Sequence, residues 1–242
     1  MKITVIIPAY NECETLSPLA EQVRARLGAF EHRIVFIDDG STDDSWDVLR
    51  TLHAKFEDID AVRFRENFGK TSALAAGFAR AEGDLVITMD ADLQDDPKEL
   101  GRFIDKINEG FDVVSGWKVR RHDPWTKTFP SKVYNRLISF VFGLELHDIN
   151  CGFKALRTNI AKQLPLRGDM HRLIPVLAAQ IGARITEIPV EHHPRRCGSS
   201  KYGVERFWRG IRDAAPAYVT AGRTTRAGLP DTSGCVAEEL RH

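Results

Sequence analysis

Short apolar runs recur through the first half of this chain, each closed by polar turn residues and separated from the next by a helical segment. Ile3-Thr4-Val5-Ile6-Ile7 is β-branched and stops at Pro8. Asn11 follows, with Glu14 three residues on, a pattern that opens helices. Arg33 to Ile37 repeats the design and ends in Asp38-Asp39-Gly40-Ser41-Thr42, where the Gly permits unusual dihedrals and the Ser or Thr caps the next helix. Ala61 to Arg65 reads as a third strand, Gly69 to Ala81 as an Ala-rich helix and Asp84 to Met89 as a fourth strand. Pro97 to Asn108 reads as a helix and Phe111 to Gly116 as a fifth strand. Strands alternating with helices of roughly 10 to 15 residues build β-α-β units and a mostly parallel sheet with right-handed crossovers.

The fourth strand carries the densest chemistry. Ile87-Thr88-Met89 runs into Asp90-Ala91-Asp92-Leu93-Gln94-Asp95-Asp96, and Pro97 stands where the first turn of a helix accepts it. The carboxylates therefore lie at the carboxyl end of a buried parallel strand, the edge of an open α/β sheet where ligands bind. Asp90 and Asp92 share a side if strand geometry persists through them, and hard oxygen donors suit Mg²⁺ or Mn²⁺. Asp58-Ile59-Asp60 has the same spacing without that context, and a chain this rich in Asp yields on the order of one or two such triplets by chance. An acidic loop that merely caps the helix from Pro97 is the competing reading.

The chain has 242 residues and no Gly/Ser- or Pro-rich linker, so a single domain over residues 1–219 with a polar tail over 220–242 is expected. Lys+Arg and Asp+Glu total 34 each, which gives no overall field for bulk nucleic-acid binding. The charge is uneven, however, with Arg195, Arg196, Lys201, Arg206, Arg209 and Arg212 crowded near the end. Cys13, Cys151, Cys197 and Cys235 are far apart and form no C-x-x-C pair, which argues against a zinc site or a disulfide scaffold and for a reducing cytosol. The amino terminus runs straight into a strand pattern instead of a leader, and no stretch approaches the roughly 18 apolar residues of a membrane span.

Beyond the fifth strand the alternation weakens. Residues 117–130 mix Trp, Lys, Arg, His and Pro without periodicity, as in a loop that reaches a ligand or moves. Helices are expected around Ser131 to Phe142 and His171 to Ile181, with a strand from Arg184 to Val190. Val204 to Val219 sets Phe207, Trp208, Ile211, Ala215 and Tyr218 among Arg206, Arg209 and Arg212, the pattern of a basic membrane-surface helix or of an ordinary docked helix. The tail from Ala221 is poor in apolar residues and is expected to be disordered.

No G-x-G-x-x-G follows the first strand, which disfavours Rossmann dinucleotide binding, and Phe68-Gly69-Lys70-Thr71-Ser72 lacks the first glycine of a phosphate-binding loop because position 64 is Phe. Four motifs then occur in one order: Ile6-Ile7-Pro8-Ala9-Tyr10-Asn11-Glu12, Ile37-Asp38-Asp39-Gly40-Ser41-Thr42-Asp43, Asn67-Phe68-Gly69-Lys70 and Asp90-Ala91-Asp92-Leu93-Gln94-Asp95. Together they resemble family 2 glycosyltransferases. Asn150-Cys151-Gly152-Phe153-Lys154, with Pro194-Arg195 and Ser200-Lys201-Tyr202-Gly203, resembles the polyprenyl-phosphate branch, the relatives of dolichol-phosphate mannose synthase. The likeness covers about residues 3–212.

That resemblance implies a GT-A type α/β fold, a mostly parallel Rossmann-like sheet flanked by helices, with C-terminal helices after it. It implies a nucleotide-sugar donor bound by Pro8, Tyr10, Glu12, Asp39, Asp90, Ala91, Lys118, Arg195 and Lys201. A carboxylate accepts N–H or ribose hydroxyl bonds and an aromatic ring packs a base, which suits several of these residues to the task. Asp92 and Gln94 would hold Mg²⁺ or Mn²⁺, with Asp90 nearer the ribose or just behind the metal ligands. Lys127 and Ser131 match positions that hold an acceptor phosphate, although relatives often carry Arg where Lys118 and Lys127 stand, and Lys lacks the guanidinium fork. Asp148 is the nearest candidate for a base, or it orients the acceptor or a loop. His192-His193 reads as a strand-end pair in preference to a metal site.

The implied activity is an inverting, metal-dependent transfer of a hexose from a nucleoside-diphosphate sugar to a polyprenyl phosphate. It would be carried out by a cytoplasmic protein held peripherally at the inner face of the membrane. The alternatives are transfer to a hydroxyl acceptor, for which a base such as Asp148 becomes essential, and a truncated or inactive nucleotide-sugar-binding module.

Overall fold

The computed structural model describes residues 1–119, 142–194 and 229–242. The first half follows the expected alternation: β1 (Lys2–Ala9), α1 (Cys13–Leu27), β2 (Glu31–Asp38), α2 (Ser45–Lys55), β3 (Ile59–Phe64), α3 (Lys70–Arg80), β4 (Leu85–Thr88), α4 (Leu100–Asn108) and β5 (Val113–Lys118). A 3-10 turn, Pro97–Glu99, precedes α4, with Asp96 accepting the Lys98 N–H at its start. The remaining described elements are β6 (Lys154–Arg157), α5 (Thr158–Ala161), a 3-10 turn Met170–Leu173, α6 (Ile174–Gln180), β7 (Ile185–Val190), a 3-10 turn Ser233–Cys235 and β8 (Val236–Leu240). No described helix is long and apolar enough to cross a membrane.

These strands form an eight-stranded sheet in the order β7-β5-β6-β4-β1-β2-β3-β8. The central block is parallel, β4 to β1 to β2 to β3. Its strands read as near-continuous apolar runs because helices cover both faces. Ile3, Val5 and Ile7 pack with α1, α2 and α4, through Leu16, Leu49 and Phe103. Ile6, Val35 and Ile37 pack on the opposite face with α3 and α6, through Ala73, Phe78 and Val176.

Two strands depart from the expected pattern. β6 inserts antiparallel between the parallel strands β4 and β5. It therefore delivers its amino end, residues 148–154, to the edge where β4 and β5 deliver their carboxyl ends. The second departure corrects an expectation. The sequence predicts a disordered tail from Ala221, but Val236–Leu240 pair antiparallel with β3 and extend the sheet. Glu238 accepts from Trp46 Nε1 at 3.1 Å and from Arg50, and Glu239 pairs with Arg80 at 2.8 Å, so ion pairs to α2 and α3 help hold a strand none of whose residues is fully buried. Asp58 pairs with Arg24 and Asp60 with Arg33, which makes that acidic triplet structural. Residues 221–228, the helix expected at Val204 to Val219, and all but the last residue of that expected at Ser131 to Phe142 lie outside the described residues.

Candidate active site

The carboxyl edge of the parallel strands gathers the polar motifs. After β1, Asn11 takes a left-handed conformation, φ 53°, and its side chain accepts the Thr42 N–H at 2.8 Å. Its own N–H donates to Ser41 Oγ at 2.9 Å, and the Glu12 N–H donates to Ser45 Oγ at 2.9 Å. These three bonds tie Asn11 and Glu12 to the turn after β2 and to the start of α2. That turn closes on Gly40, φ 70°, where a side chain would run into the Glu66 backbone at 2.4 Å. Asp39, 5% exposed, accepts the N–H groups of Phe68 at 2.8 Å and Gly69 at 2.9 Å. Burial nevertheless pushes its carboxyl up to about 6, the backbone donors only partly offsetting it.

After β4 the chain turns through Leu93, φ 59°. Asp92 accepts the Gln94 N–H at 3.2 Å, and Gln94 Nε2 donates to His193 O at 3.1 Å. A bridge between Asp95 and His192 and a bond from His193 N to Gln94 O, 2.9 Å, zip this turn to the segment after β7. His192 thus stands in an isolated bridge, and His193 is bonded to the acidic turn through its backbone. The His193 side chain does more: its Nε2 lies 3.2 Å from Asp96 Oδ2. Ligand atoms of Asp96, Glu191 and His193 all fall within 4.8 Å of one another, a group able to hold a metal ion.

Asp90 forms an ion pair with Lys70, the first residue of α3. Burial opposes its ionisation, but the Lys70 and Lys118 ammonium groups outweigh that and hold the carboxyl well below the usual range. Lys118, the last residue of β5, pairs with Asp95 at 2.9 Å. On β6, Lys154 is 2% exposed and donates to Cys151 O. Burial pulls its ammonium down to about 8 and pushes the Cys151 thiol up to about 12. Asp148 is 1% exposed, its carbonyl accepting from Ser115 Oγ at 3.4 Å. Glu187 on β7 accepts the His147 N–H at 2.8 Å, and the His147 ring stacks on Trp117 with centroids 4.1 Å apart.

A sequence profile described as glycosyl transferase family 2 matches residues 4–164. The chain belongs to that family. Dodecaprenyl-phosphate galacturonate synthase of Rhizobium johnstonii is 36% identical over 220 residues, covering 88% of this chain. The chain spans 65% of that relative's length. Among solved structures, glucosyl-3-phosphoglycerate synthase from Mycobacterium tuberculosis, in complex with Mn²⁺, UDP and glucosyl-3-phosphoglycerate, superposes with a TM-score of 0.65 at 17% identity, covering 95% of this chain and 81% of that one. A mannosyltransferase from Pyrobaculum calidifontis, in complex with GDP-Man and Mn²⁺, superposes with a TM-score of 0.65 at 20% identity, covering 95% and 66%. The fold of this family 2 chain is thus of the GT-A type.

Within the family 2 edge, Pro8, Tyr10, Glu12, Asp39, Asp90, Ala91, Asp92, Gln94 and Lys118 stand on strand ends or the turns that follow them, and Asp148 stands in the loop that leads into β6. Lys127, Ser131, Arg195 and Lys201 lie outside the described residues. The sequence reading of individual side chains misses three partners. Lys70 was legible only as part of a motif, yet a lysine straight after a left-handed glycine, Gly69 at φ 87°, is the signal of a helix start aimed at the sheet edge. Asp95 is one of four carboxylates in a run, and only its burial, 1% exposed, distinguishes it. Lys154 sits in an apolar context, where a single lysine of a short strand carries no positional signature.

Proposed function

We propose that this chain is an inverting, metal-dependent glycosyltransferase that moves a hexose-class sugar from a nucleoside diphosphate to a polyprenyl phosphate at the cytosolic face of a membrane. The observation that carries the reading is the convergence of Asp39, Lys70, Asp90, Asp92, Gln94 and Lys118 on one sheet edge in a family 2 chain. The name of the 36% identical relative, a dodecaprenyl-phosphate galacturonate synthase, supports the acceptor class.

Asp39 and Glu12, on turns tied to each other, face the nucleoside: their carboxylates accept hydrogen bonds from base N–H or ribose hydroxyls, and Tyr10 packs the base. Asp92 and the oxygen of Gln94, whose amide nitrogen is committed to His193 O, form an oxygen-only pair in one turn. That donor set fits Mg²⁺ or Mn²⁺. A divalent ion there would stabilise the charge left on the departing diphosphate. Lys118, with Arg195 and Lys201, supplies further positive charge for the phosphates, and Lys127 and Ser131 hold the acceptor phosphate.

A phosphate monoester is already largely ionised near neutral pH, its second pKa being about 6, so the acceptor oxygen attacks the anomeric carbon without a base. One in-line displacement inverts that carbon. Asp148, buried on a loop clamped by Glu187, orients the acceptor side in this scheme. The test is donor consumption by the purified chain, with UDP-galacturonate, UDP-glucose and GDP-mannose as donors, with and without dodecaprenyl phosphate. Turnover should require the lipid phosphate. Efficient turnover with a soluble hydroxyl acceptor, abolished by Asp148→Asn, would replace this reading with the base-catalysed one.

A further inference from the structure

The Asn150 to Lys154 motif enters none of the steps above, yet its register in the sheet places it directly beneath one of the donor-side carboxylates. β6 runs antiparallel to β4 with Thr88 opposite Lys154. The same register carried two residues beyond both strand ends sets Asp90 opposite Gly152, and the Thr88 hydroxyl donates to Gly152 O at 2.7 Å. Opposed residues of an antiparallel pair bring their Cβ atoms to about 4.5–5.5 Å, so any side chain at 152 competes for the space of Asp90. There is none to share: a Cβ on Gly152 would lie 2.7 Å from Asp90 Oδ2, 2.8 Å from Oδ1 and 2.9 Å from Cγ.

The backbone imposes no such demand. Gly152 is absent from the glycines with positive φ, so its dihedrals are open to other residues and the requirement is for space alone. Neither side yields easily. Lys70 holds the Asp90 carboxylate, and the Lys154 bond to Cys151 O braces the turn behind Gly152. On its far side the same segment is bonded to β5, through Gly116 N to Phe153 O at 2.9 Å.

We propose that Gly152 is a positioning residue of the donor site: the side chain it lacks is the seat of the Asp90 carboxylate, and the braced Cys151 to Lys154 turn is the floor that keeps this carboxylate on Lys70. The proposal rests on the reading of Asp90 as a donor-side group. A merely structural glycine would be needed whatever stood at position 90, whereas this one is needed only when Asp90 carries its carboxylate.

Gly152→Ala tests it, since alanine suits the backbone and adds one methyl group. A crystal structure of the variant should show the Asp90 carboxylate displaced from Lys70. With the donor and dodecaprenyl phosphate pair that the wild type turns over, the donor KM should rise more than kcat falls, and kcat/KM should drop by up to about 100-fold. In an Asp90→Ala background the same change should cost no further activity. If Gly152→Ala does not fold, adding Asp90→Ala should restore folding, and continued failure of the double variant overturns the proposal. An unmoved Asp90 with wild-type kinetics, or equal losses in both backgrounds, also overturns it. If the carboxylate moves but Asp90→Ala leaves the donor KM unchanged, the seat stands while the donor reading of Asp90 falls.

Discussion

Lys118 Nζ lies 2.9 Å from Asp95 Oδ1, with the lysine side chain 13% exposed and the aspartate 0%. A cation expected to meet substrate phosphates is therefore also the counter-ion of a buried carboxylate in the acidic turn. Burial disfavours its ammonium, but Asp95, with Asp90 behind it, holds the pKa above the ordinary lysine value. The lysine consequently stays charged throughout the physiological range.

Removing one partner of such a pair leaves an uncompensated buried charge. Lys118→Met should destabilise the protein by about 3–5 kcal/mol in urea unfolding. Adding Asp95→Leu should recover much of that loss, because two apolar side chains replace the pair. A Lys118→Met variant as stable as the wild type would show that the pair does not hold the acidic turn.

Asp92→Asn should nearly abolish transfer while circular dichroism and thermal midpoint stay as in the wild type. The asparagine oxygen still accepts the Gln94 N–H that shapes the turn, while the charge offered to a cation is lost. Retained activity would remove Asp92 from the metal site.

Activity should require added Mg²⁺ or Mn²⁺ and stop with excess chelator. Two groups compete as ligands, Asp92 with Gln94 and the Asp96, Glu191, His193 cluster. His193→Ala should leave the metal concentration for half-maximal activity within about threefold, against a shift of tenfold or more on losing Asp92, because a ligand costs more than a neighbour of one. The reverse ranking would move the ion to the cluster.

Asp39 gives a pH dependence of opposite sign in stability and binding. Its folded value, about 6, lies above the 3.8 of an unperturbed carboxyl. The folded state thus holds this proton more tightly, a contribution to stability fully present below pH 3.8 and lost as pH rises through about 6. A donor that gives N–H bonds to the ionised carboxylate should instead bind more weakly on acidification below pH 6. Asp39→Asn should flatten both profiles in that window, measured as the difference between wild type and variant. A wild-type donor affinity constant from pH 5 to 7 would exclude Asp39 from the nucleoside site.

The purified chain should sediment with anionic liposomes at low salt and be released at high salt. Arg206, Arg209 and Arg212 would each contribute about 1 kcal/mol near an anionic leaflet, and Trp208 and Tyr218 are residue types that suit the interface. The triple change to Glu should abolish the binding. Indifference to anionic vesicles at low ionic strength, with efficient transfer to a soluble acceptor, would overturn the membrane assignment.

Local sequence was sufficient for the first five strands and their helices, because β-branched runs and turn residues such as Gly40 and Pro97 act over a few positions. The same holds for the acidic turn after β4, where the Gln94 N–H donates to Asp92 two residues before it. It was not sufficient for β6 or β8. Lys154–Arg157 is too short to show a period, and its antiparallel place between β4 and β5 is decided by pairing with segments far away in the chain. Val236–Leu240 buries little of itself and is held by Trp46, Arg50 and Arg80, none of which is near it in sequence. The charges of the site divide in the same way. Its acids are adjacent letters, but Lys70 on Asp90, Lys118 on Asp95 and the bare backbone of Gly152 beneath them come together only when the sheet forms, since electrostatics and steric exclusion act on distance in space.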